Sequence, residues 1–298
     1  MLQDVVDEYL MVLSIANATQ DGAPLRGTKH NTVIAYRNDL SQACAYLDRQ
    51  QIQYWSEVTR EHIAVYMLEM RESQAYRPAT IARKLAALRA FFRYLRANDL
   101  VDSDPLEDFE APRVTRLSPQ TLTPEQMASL FQQIEIAQPI GQRDFAMLCL
   151  LYTTGMRVSE LVSLDLTDFH TNPASVVCPG RRGRNQRART LSLPFATVEA
   201  MQHYLNGVRP QLVIRHPEEQ ALFLNHHGER LTRQGFWLII KGYARQAGIT
   251  EITPHILRHS FAVLMLQEGM ELRSLQELLG HAHISTTQVY CRVVENVV

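Results

Sequence analysis

Residues 253–290 read TPHILRHSFAVLMLQEGMELRSLQELLGHAHISTTQVY, and they place His255, Arg258, His281 and Tyr290 at two helix starts and one helix end. Thr253 before Pro254 predicts a helix start, because a threonine hydroxyl caps free amides and proline suits the first helical position. His255 and Arg258 then fall in the first turns. Three residues apart, they share a helix face, so an imidazole and a guanidinium can converge on one anion. The helix N-terminus adds partial positive charge. Phe261, Leu264, Met265 and Leu266 supply the buried side, and Gly269 closes the helix. A second helix, Glu271 to Leu279, stops at Gly280, whose backbone freedom lets the chain turn and present His281. Ser285 and Gln288 form a capping box for a last short helix that carries Tyr290.

Each of these residues has a plainer role available. A single helical histidine is most often structural, and a tyrosine near a chain end most often packs. A metal site is the other chemical possibility, since His255 and His259 are four apart and His281 and His283 flank one residue. Zinc prefers three or four ligands, however, and the glutamate of an H-E-x-x-H helix is replaced by Ile256. The expectation is no metal and no small-molecule cofactor.

The 298 residues allow two domains of ordinary size, and a hydrophobic content of 46% is enough for real cores. Net charge is −1, so DNA binding is not advertised globally and distribution matters more. Cys44, Cys149, Cys178 and Cys291 are widely spaced, which suits a reducing cytoplasm. The first residues carry Asp4, Asp7 and Glu8 with no basic-then-apolar signal, and no stretch is apolar enough to span a bilayer. A cytoplasmic protein, nucleoid-associated when bound to DNA, is expected. Lys29, Lys84 and Lys241 are the only lysines among 30 basic residues.

Residues 1–110 read as a helical domain. Val5, Val6, Tyr9, Leu10 and Leu13 keep helical spacing, as do Val33, Ile34, Leu40, Ala43 and Leu47. A third helix lies near Thr59 to Glu72. In the fourth, Ile81, Leu85, Leu88, Phe92 and Leu95 form an apolar seam. The same region carries Arg77, Arg83, Lys84, Arg89, Arg93 and Arg96 without one acidic residue, the signature of a phosphate-facing element as against a mixed solvated surface. Asp99 to Glu110 reverses the sign, and such a patch should face away from DNA or meet a partner's arginines. Pro112, Pro119 and Pro124 punctuate an exposed linker over 111–122.

The domain from 123 to 298 opens on Thr123-Pro124, another capped helix start. Arg143 to Thr154 is a strongly apolar helix ended by Gly155. Arg157 follows, with Glu160 three residues on, by themselves a surface ion pair of little energetic value. Val176 to Cys178 and Thr190 to Leu193 are short strands around CPGRRGRNQRAR, a hairpin with a long basic loop whose Arg181, Arg184 and Arg187 are candidate DNA contacts.

The joint pattern His-x-x-Arg, Leu-Gly-His and a tyrosine nine residues later resembles the tyrosine recombinase (phage integrase) family, above all its two-domain Xer-like members. TTGMRVSELVSL and TIARKLAALRAFFRYL resemble the family's first arginine motif and its DNA-contacting helix. The resemblance implies a mainly α fold: a helical, SAM-like core-binding domain joined to an α+β catalytic domain with a small β-sheet. It also implies a site-specific recombinase that forms a 3′-phosphotyrosine through Tyr290. Arg157 and Arg258 would stabilise the phosphorane, Glu160 would buttress Arg157, His255 would serve as acid or base for the tyrosine and hydroxyl protons, and His281 would bond a nonbridging oxygen. The implied partners are a double-stranded site with inverted repeats and a tetramer spanning two such sites. Val293, Val294, Val297 and Val298 would form a short apolar plug for a neighbour.

One departure has chemical content. The family's hairpin lysine, which protonates the leaving 5′-oxygen, is matched here by Arg182. A general acid needs a pKa near the working pH, and arginine holds its proton above pH ~12. Arginine or water could serve as donor, Lys241 could enter the site, or the chain could bind DNA without recombining it. The missing lysine motivates one alternative, a DNA-binding accessory protein; a type IB topoisomerase using the same chemistry is another, with a zinc hydrolase the weakest.

Overall fold

A computed structural model describes residues 1–15, 30–73, 75–107, 109, 119–179 and 188–295. The chain divides into two compact units, Met1–Arg116 and Leu117–Val298. Most of the expected linker, residues 111–118, lies outside the described residues. No described helix is long and apolar enough to cross a membrane.

The first unit is four helices: α1 (Leu2–Ile15), α2 (His30–Arg49), α3 (Arg60–Glu72) and α4 (Pro78–Ala97). Thr59 caps α3, and Pro78 opens α4 at a position where a missing N–H costs nothing. Their apolar faces meet in one core, in which Leu85, Phe91, Phe92 and Leu95 of α4 are fully buried. Trp55 packs edge-on against Phe91 and Phe92. Its indole N–H donates to the Leu2 carbonyl at 2.9 Å, tying the α2–α3 connection to the start of α1.

The basic helix is not uniformly free. Lys84 is 2% exposed; its Nζ lies 3.2 Å from Asp39 Oδ1 and 2.5 Å from Gln42 Oε1, with the Tyr76 ring 5.0 Å away. This corrects its reading as a phosphate contact, because a buried ammonium whose charge is matched by Asp39 presents nothing to DNA. The acid was invisible on α4 because α2 supplies it. Arg83 also pairs with Asp39, and Arg89 donates to the Phe109 carbonyl. Arg77 and Arg93 are exposed. In the acidic stretch, Glu107 meets the chain's own Arg96 at 3.7 Å.

The second unit carries α5 (Pro124–Gln132), α6 (Pro139–Thr154), α7 (Val158–Leu161), β1 (Phe169–Thr171), β2 (Ala174–Cys178), β3 (Arg189–Ser192), α8 (Phe195–His203), α9 (Arg209–Leu212), α10 (Arg233–Gln246), α11 (Pro254–Gln267), α12 (Leu272–Leu279) and α13 (Gln288–Glu295). The strands form one antiparallel sheet in the order β1-β2-β3, with Cys178 opposite Arg189 where the hairpin loop leaves it. β1 was not expected. At three residues it is too short to show alternation in sequence. The mainly helical fold with a small sheet is as the sequence implied.

Helix starts follow their capping chemistry. Thr123, Thr232 and Thr253 each accept a backbone N–H three residues on. The last helix departs from expectation: Ser285 lies in a single 3-10 turn, Ile284–Thr286, and α13 begins at Gln288. The chain's own core also claims part of the proposed plug. Val293 is buried with Tyr290, Phe261, Leu275 and Leu279, while Val297 and Val298 lie outside the described residues.

Candidate functional site

Gly155 sets the geometry of the site. It ends α6 in the left-handed conformation, φ +57°, and packs so closely on α11 that an added Cβ would stand 2.2 Å from Phe261 Cδ1. The Gly155 carbonyl accepts from Arg258 Nη1 at 2.6 Å, and two residues later Arg157 begins α7. One tight helix contact therefore brings together two arginines about a hundred positions apart in sequence.

Arg258 is buried, 4% exposed, and held by three hydrogen bonds. Its Nη2 donates to the Leu279 carbonyl at 2.6 Å and to His281 Nε2 at 3.0 Å. Burial first, and repulsion from Arg157 second, lower its pKa to about 10, which leaves it charged at neutral pH. Because a guanidinium can only donate, His281 Nε2 is the acceptor, and the ring proton sits on Nδ1, 3.0 Å from Thr287 Oγ1. Burial, with Arg258 and Arg157 repelling a second charge, pushes His281 down to about 3. Both of its ring nitrogens are thus occupied, and bonding to a ligand oxygen requires one to be released.

Arg157 is held by Glu160, whose carboxylate accepts from the Arg157 backbone N–H at 2.8 Å and from Nη1 at 3.1 Å. Sequence reasoning missed the second holder. Arg189, at the base of the basic hairpin, grips the same carboxylate through Nη2 at 2.9 Å and Nη1 at 3.2 Å, while its Nε donates to the Leu278 carbonyl. Burial alone would raise the Glu160 carboxyl, but hydrogen bonding and attraction from Arg189 and then Arg157 outweigh it and leave it below its ordinary value. Three guanidiniums face one carboxylate, so the site carries an excess of positive charge.

Tyr290 is buried, 3% exposed. Its hydroxyl lies 2.9 Å from Nδ1 of His259, not of His255. His259 was noticed in the sequence only as a possible metal partner of His255. Its position one turn further along α11 was the available signal, and α13 turns that face onto the tyrosine. His255 is exposed on an open cleft of about 770 Å³ that it shares with Arg157, Arg258, Ser159, Arg233 and Trp237. Burial, followed by repulsion from Arg258, lowers its pKa. Among the described residues no three His, Cys, Asp or Glu side chains are grouped to hold a metal ion.

Of the sequence-nominated residues, Arg157, Glu160, His255, Arg258, His281 and Tyr290 therefore cluster around the start of α11. Arg181, Arg182, Arg184 and Arg187 lie outside the described residues. Lys241, the substitute considered for the hairpin lysine, is exposed, stacks over Trp237 at 4.7 Å and is not on the cleft wall. The arrangement offers fixed cationic donors for an anion beside a phenol that a neutral imidazole holds.

Comparison with known proteins matches residues 120–296 to the phage integrase family and residues 25–99 to the phage integrase N-terminal SAM-like domain. The chain is 45% identical over 270 residues to tyrosine recombinase XerC of Roseiflexus sp. (strain RS-1), covering 90% of this chain and 85% of that one. It is 36% identical to tyrosine recombinase XerD of Listeria innocua serovar 6a, covering 99% and 95%. Among solved structures it is similar to XerH site-specific recombinase bound to palindromic difH substrate in a post-cleavage complex, with TM-score 0.74, 19% identity, and 99% and 93% of the two chains covered.

Proposed function

The chain belongs to the phage integrase family of tyrosine recombinases, and from that premise we propose that it breaks and rejoins duplex DNA at a specific site through Tyr290. The carrying observation is the convergence of Arg157 and Arg258 on one cleft beside a buried, hydrogen-bonded tyrosine. The phenolic oxygen attacks a phosphodiester in line, giving a 3′-phosphotyrosine and a free 5′-hydroxyl, and attack by a 5′-hydroxyl of another strand reverses the step. Arg157 and Arg258 neutralise the phosphorane as preorganised donors. Glu160, clamped by Arg189, fixes the Arg157 fork. His255, on the cleft wall, is proposed to bond a phosphate oxygen, and His281 to bond a nonbridging oxygen once one of its two occupied ring nitrogens is released. Arg182 is the hairpin residue proposed to stabilise the leaving oxygen in place of a lysine. The mechanism uses no metal and no small-molecule cofactor.

The N-terminal helices, residues 1–110, act as a clamp on the duplex, with Arg77, Arg83, Arg89 and Arg93 and the hairpin's Arg181, Arg184 and Arg187 as phosphate contacts. Residues 111–122 link the clamp to a catalytic domain over 123–298. The substrate is a site with inverted repeats, and four protomers, of one or two kinds, hold two sites together. The work is cytoplasmic, at the nucleoid.

Trapping on a nicked suicide duplex carrying inverted repeats tests this reading. A denaturant-resistant adduct with wild type, lost in Tyr290→Phe, is the expected result. Specific binding without an adduct would instead support a DNA-binding accessory role. The observation favouring that second reading is Lys241, the only lysine of this half, standing off the cleft wall. Relaxation of supercoiled DNA without site dependence would point to topoisomerase-like activity.

A further inference from the structure

Two histidines on one face of α11 compete for the role of serving the nucleophile, and the geometry separates them. His255 looks into the open cleft. His259, one turn on, has its ring centroid 6.2 Å from that of His255 and 5.4 Å from that of Tyr290, and its Nδ1 lies 2.9 Å from the Tyr290 oxygen. Resting on the recombinase reading above, we propose that His259 is the histidine that serves Tyr290: its Nδ1 positions the hydroxyl and takes the proton as attack proceeds.

The direction of the hydrogen bond follows from the neighbours. The Tyr290 hydroxyl is buried with His259 Nδ1 2.9 Å away, and a phenolic proton removed from water needs an acceptor, which that nitrogen supplies. Burial first, then repulsion from His255 and Arg258, lower the His259 pKa to about 4, so the ring is neutral and Nδ1 carries a lone pair. Burial raises the phenol against the pull of Arg258 and Arg157, which keeps the proton on oxygen in the resting chain. The groups facing this pair are therefore His255 and Arg258 on α11 itself, His281 from the turn after α12, and Arg157 from the start of α7.

The step balances. The Tyr290 oxygen bonds to phosphorus, its proton passes to His259 Nδ1, and the bond from phosphorus to the 5′-oxygen breaks, with that oxygen taking a proton from water. Negative charge from the scissile phosphate, absent in the free chain, favours the imidazolium at that moment. When a 5′-hydroxyl reverses the step, the imidazolium returns its proton to the phenol and the hydroxyl's proton passes to the hydroxide that the first step left in solvent.

Single-turnover cleavage of the suicide duplex by wild type, His259→Leu, His259→Asn and His255→Asn decides the assignment. Loss of the acceptor in His259→Leu is expected to slow cleavage about 100-fold with duplex affinity unchanged, and His259→Asn, whose amide oxygen can hold the hydroxyl but not take its proton, to recover part of that loss. The acid limb of the wild-type pH–rate profile should disappear in His259→Asn and persist in His255→Asn. A His259→Leu protein that cleaves at the wild-type rate, or an acid limb that vanishes only in His255→Asn, overturns the proposal. Nitrogen-15 spectra of the histidine rings keep the test independent of activity. Nδ1 of His259 should be the unprotonated nitrogen and should shift in Tyr290→Phe, and a protonated Nδ1 indifferent to that change overturns the assignment. Absence of any adduct with wild type would sink the recombinase reading instead.

Discussion

Arg189 and Arg157 share one buried carboxylate, Glu160: Arg189 bonds both its oxygens, at 2.9 and 3.2 Å, and the Arg157 guanidinium bonds one of the same two at 3.1 Å. Arg157 is the more exposed of the two and faces the cleft; Arg189 is the anchor. Replacing Arg189 leaves Glu160 paired with Arg157 alone and frees the Arg157 fork to reorient. Arg189→Ala should therefore slow single-turnover cleavage roughly 100-fold, the scale of a misplaced catalytic group, while duplex affinity changes little. Arg189→Lys should not rescue it, because an ammonium cannot bridge both carboxylate oxygens and the Leu278 carbonyl in one plane. Wild-type cleavage by Arg189→Lys would show that Arg189 contributes charge alone.

Gly155 and Gly248 form a matched pair for measuring what the α6–α11 contact requires. Both have positive φ, +57° and +70°, but a Cβ on Gly155 meets Phe261 at 2.2 Å and Leu279 at 3.0 Å, whereas one on Gly248 meets nothing within 4 Å. Gly248→Ala should cost only left-handed strain, about 1 kcal/mol. Gly155→Ala adds overpacking of a buried aromatic and should cost about 2–4 kcal/mol. Denaturant unfolding of the two variants gives the difference directly, and equal losses would mean that α6 and α11 can move apart freely.

How much of this was legible follows from where the determinants lie. Thr253, Pro254, Gly155 and Gly280 are local signals, and the helix ends they specify stand where the sequence put them. Motif spacing carried Arg157, Glu160, Arg258 and Tyr290 for the same reason. What escaped was tertiary. Asp39 on α2 neutralises Lys84 on α4 across 45 positions, and no inspection of α4 alone can reveal it. Arg189 was one arginine among several in a basic loop until the hairpin register turned it onto Glu160. His259 differs from His255 by one helical turn, and only the packing of α13 decides which ring meets the tyrosine.

The buried Lys84–Asp39 pair makes its own prediction, because a charge stripped of its partner in an apolar interior is far more costly than the pair is worth. Asp39→Asn should destabilise the N-terminal unit by about 3–5 kcal/mol, and adding Lys84→Met should recover much of that loss. On DNA, Lys84→Met should leave the salt dependence of binding unchanged, whereas removing the exposed Arg93 should reduce its slope by about one. Titrations over a range of salt concentrations check both, and a reduced slope for Lys84→Met would return that lysine to the DNA-facing set.

The histidines also give the C-terminal unit a specific acid sensitivity. Burial, reinforced by neighbouring cations, lowers the pKa of His281 to about 3 and of His259 to about 4, and lowers that of His255. In the unfolded chain a histidine titrates near ~6.5. Between that value and the folded ones the unfolded state binds more protons, so the contribution is fully present above about pH 7 and is lost as pH falls through the window. Glu160 acts in the same direction only lower down, because its carboxylate is held below the ordinary range and its contribution fades as it protonates. After discounting for partial solvent exposure, His259 and His281 together should remove roughly 2 kcal/mol between pH 7.5 and pH 5, a fall of about 4–8 °C in the melting temperature of this unit. Scanning calorimetry across that range checks it. A melting temperature that does not move above pH 5 would mean that His259 and His281 accept protons in the folded chain as easily as in the unfolded one, and that the neutral acceptor at Tyr290 is lost with them.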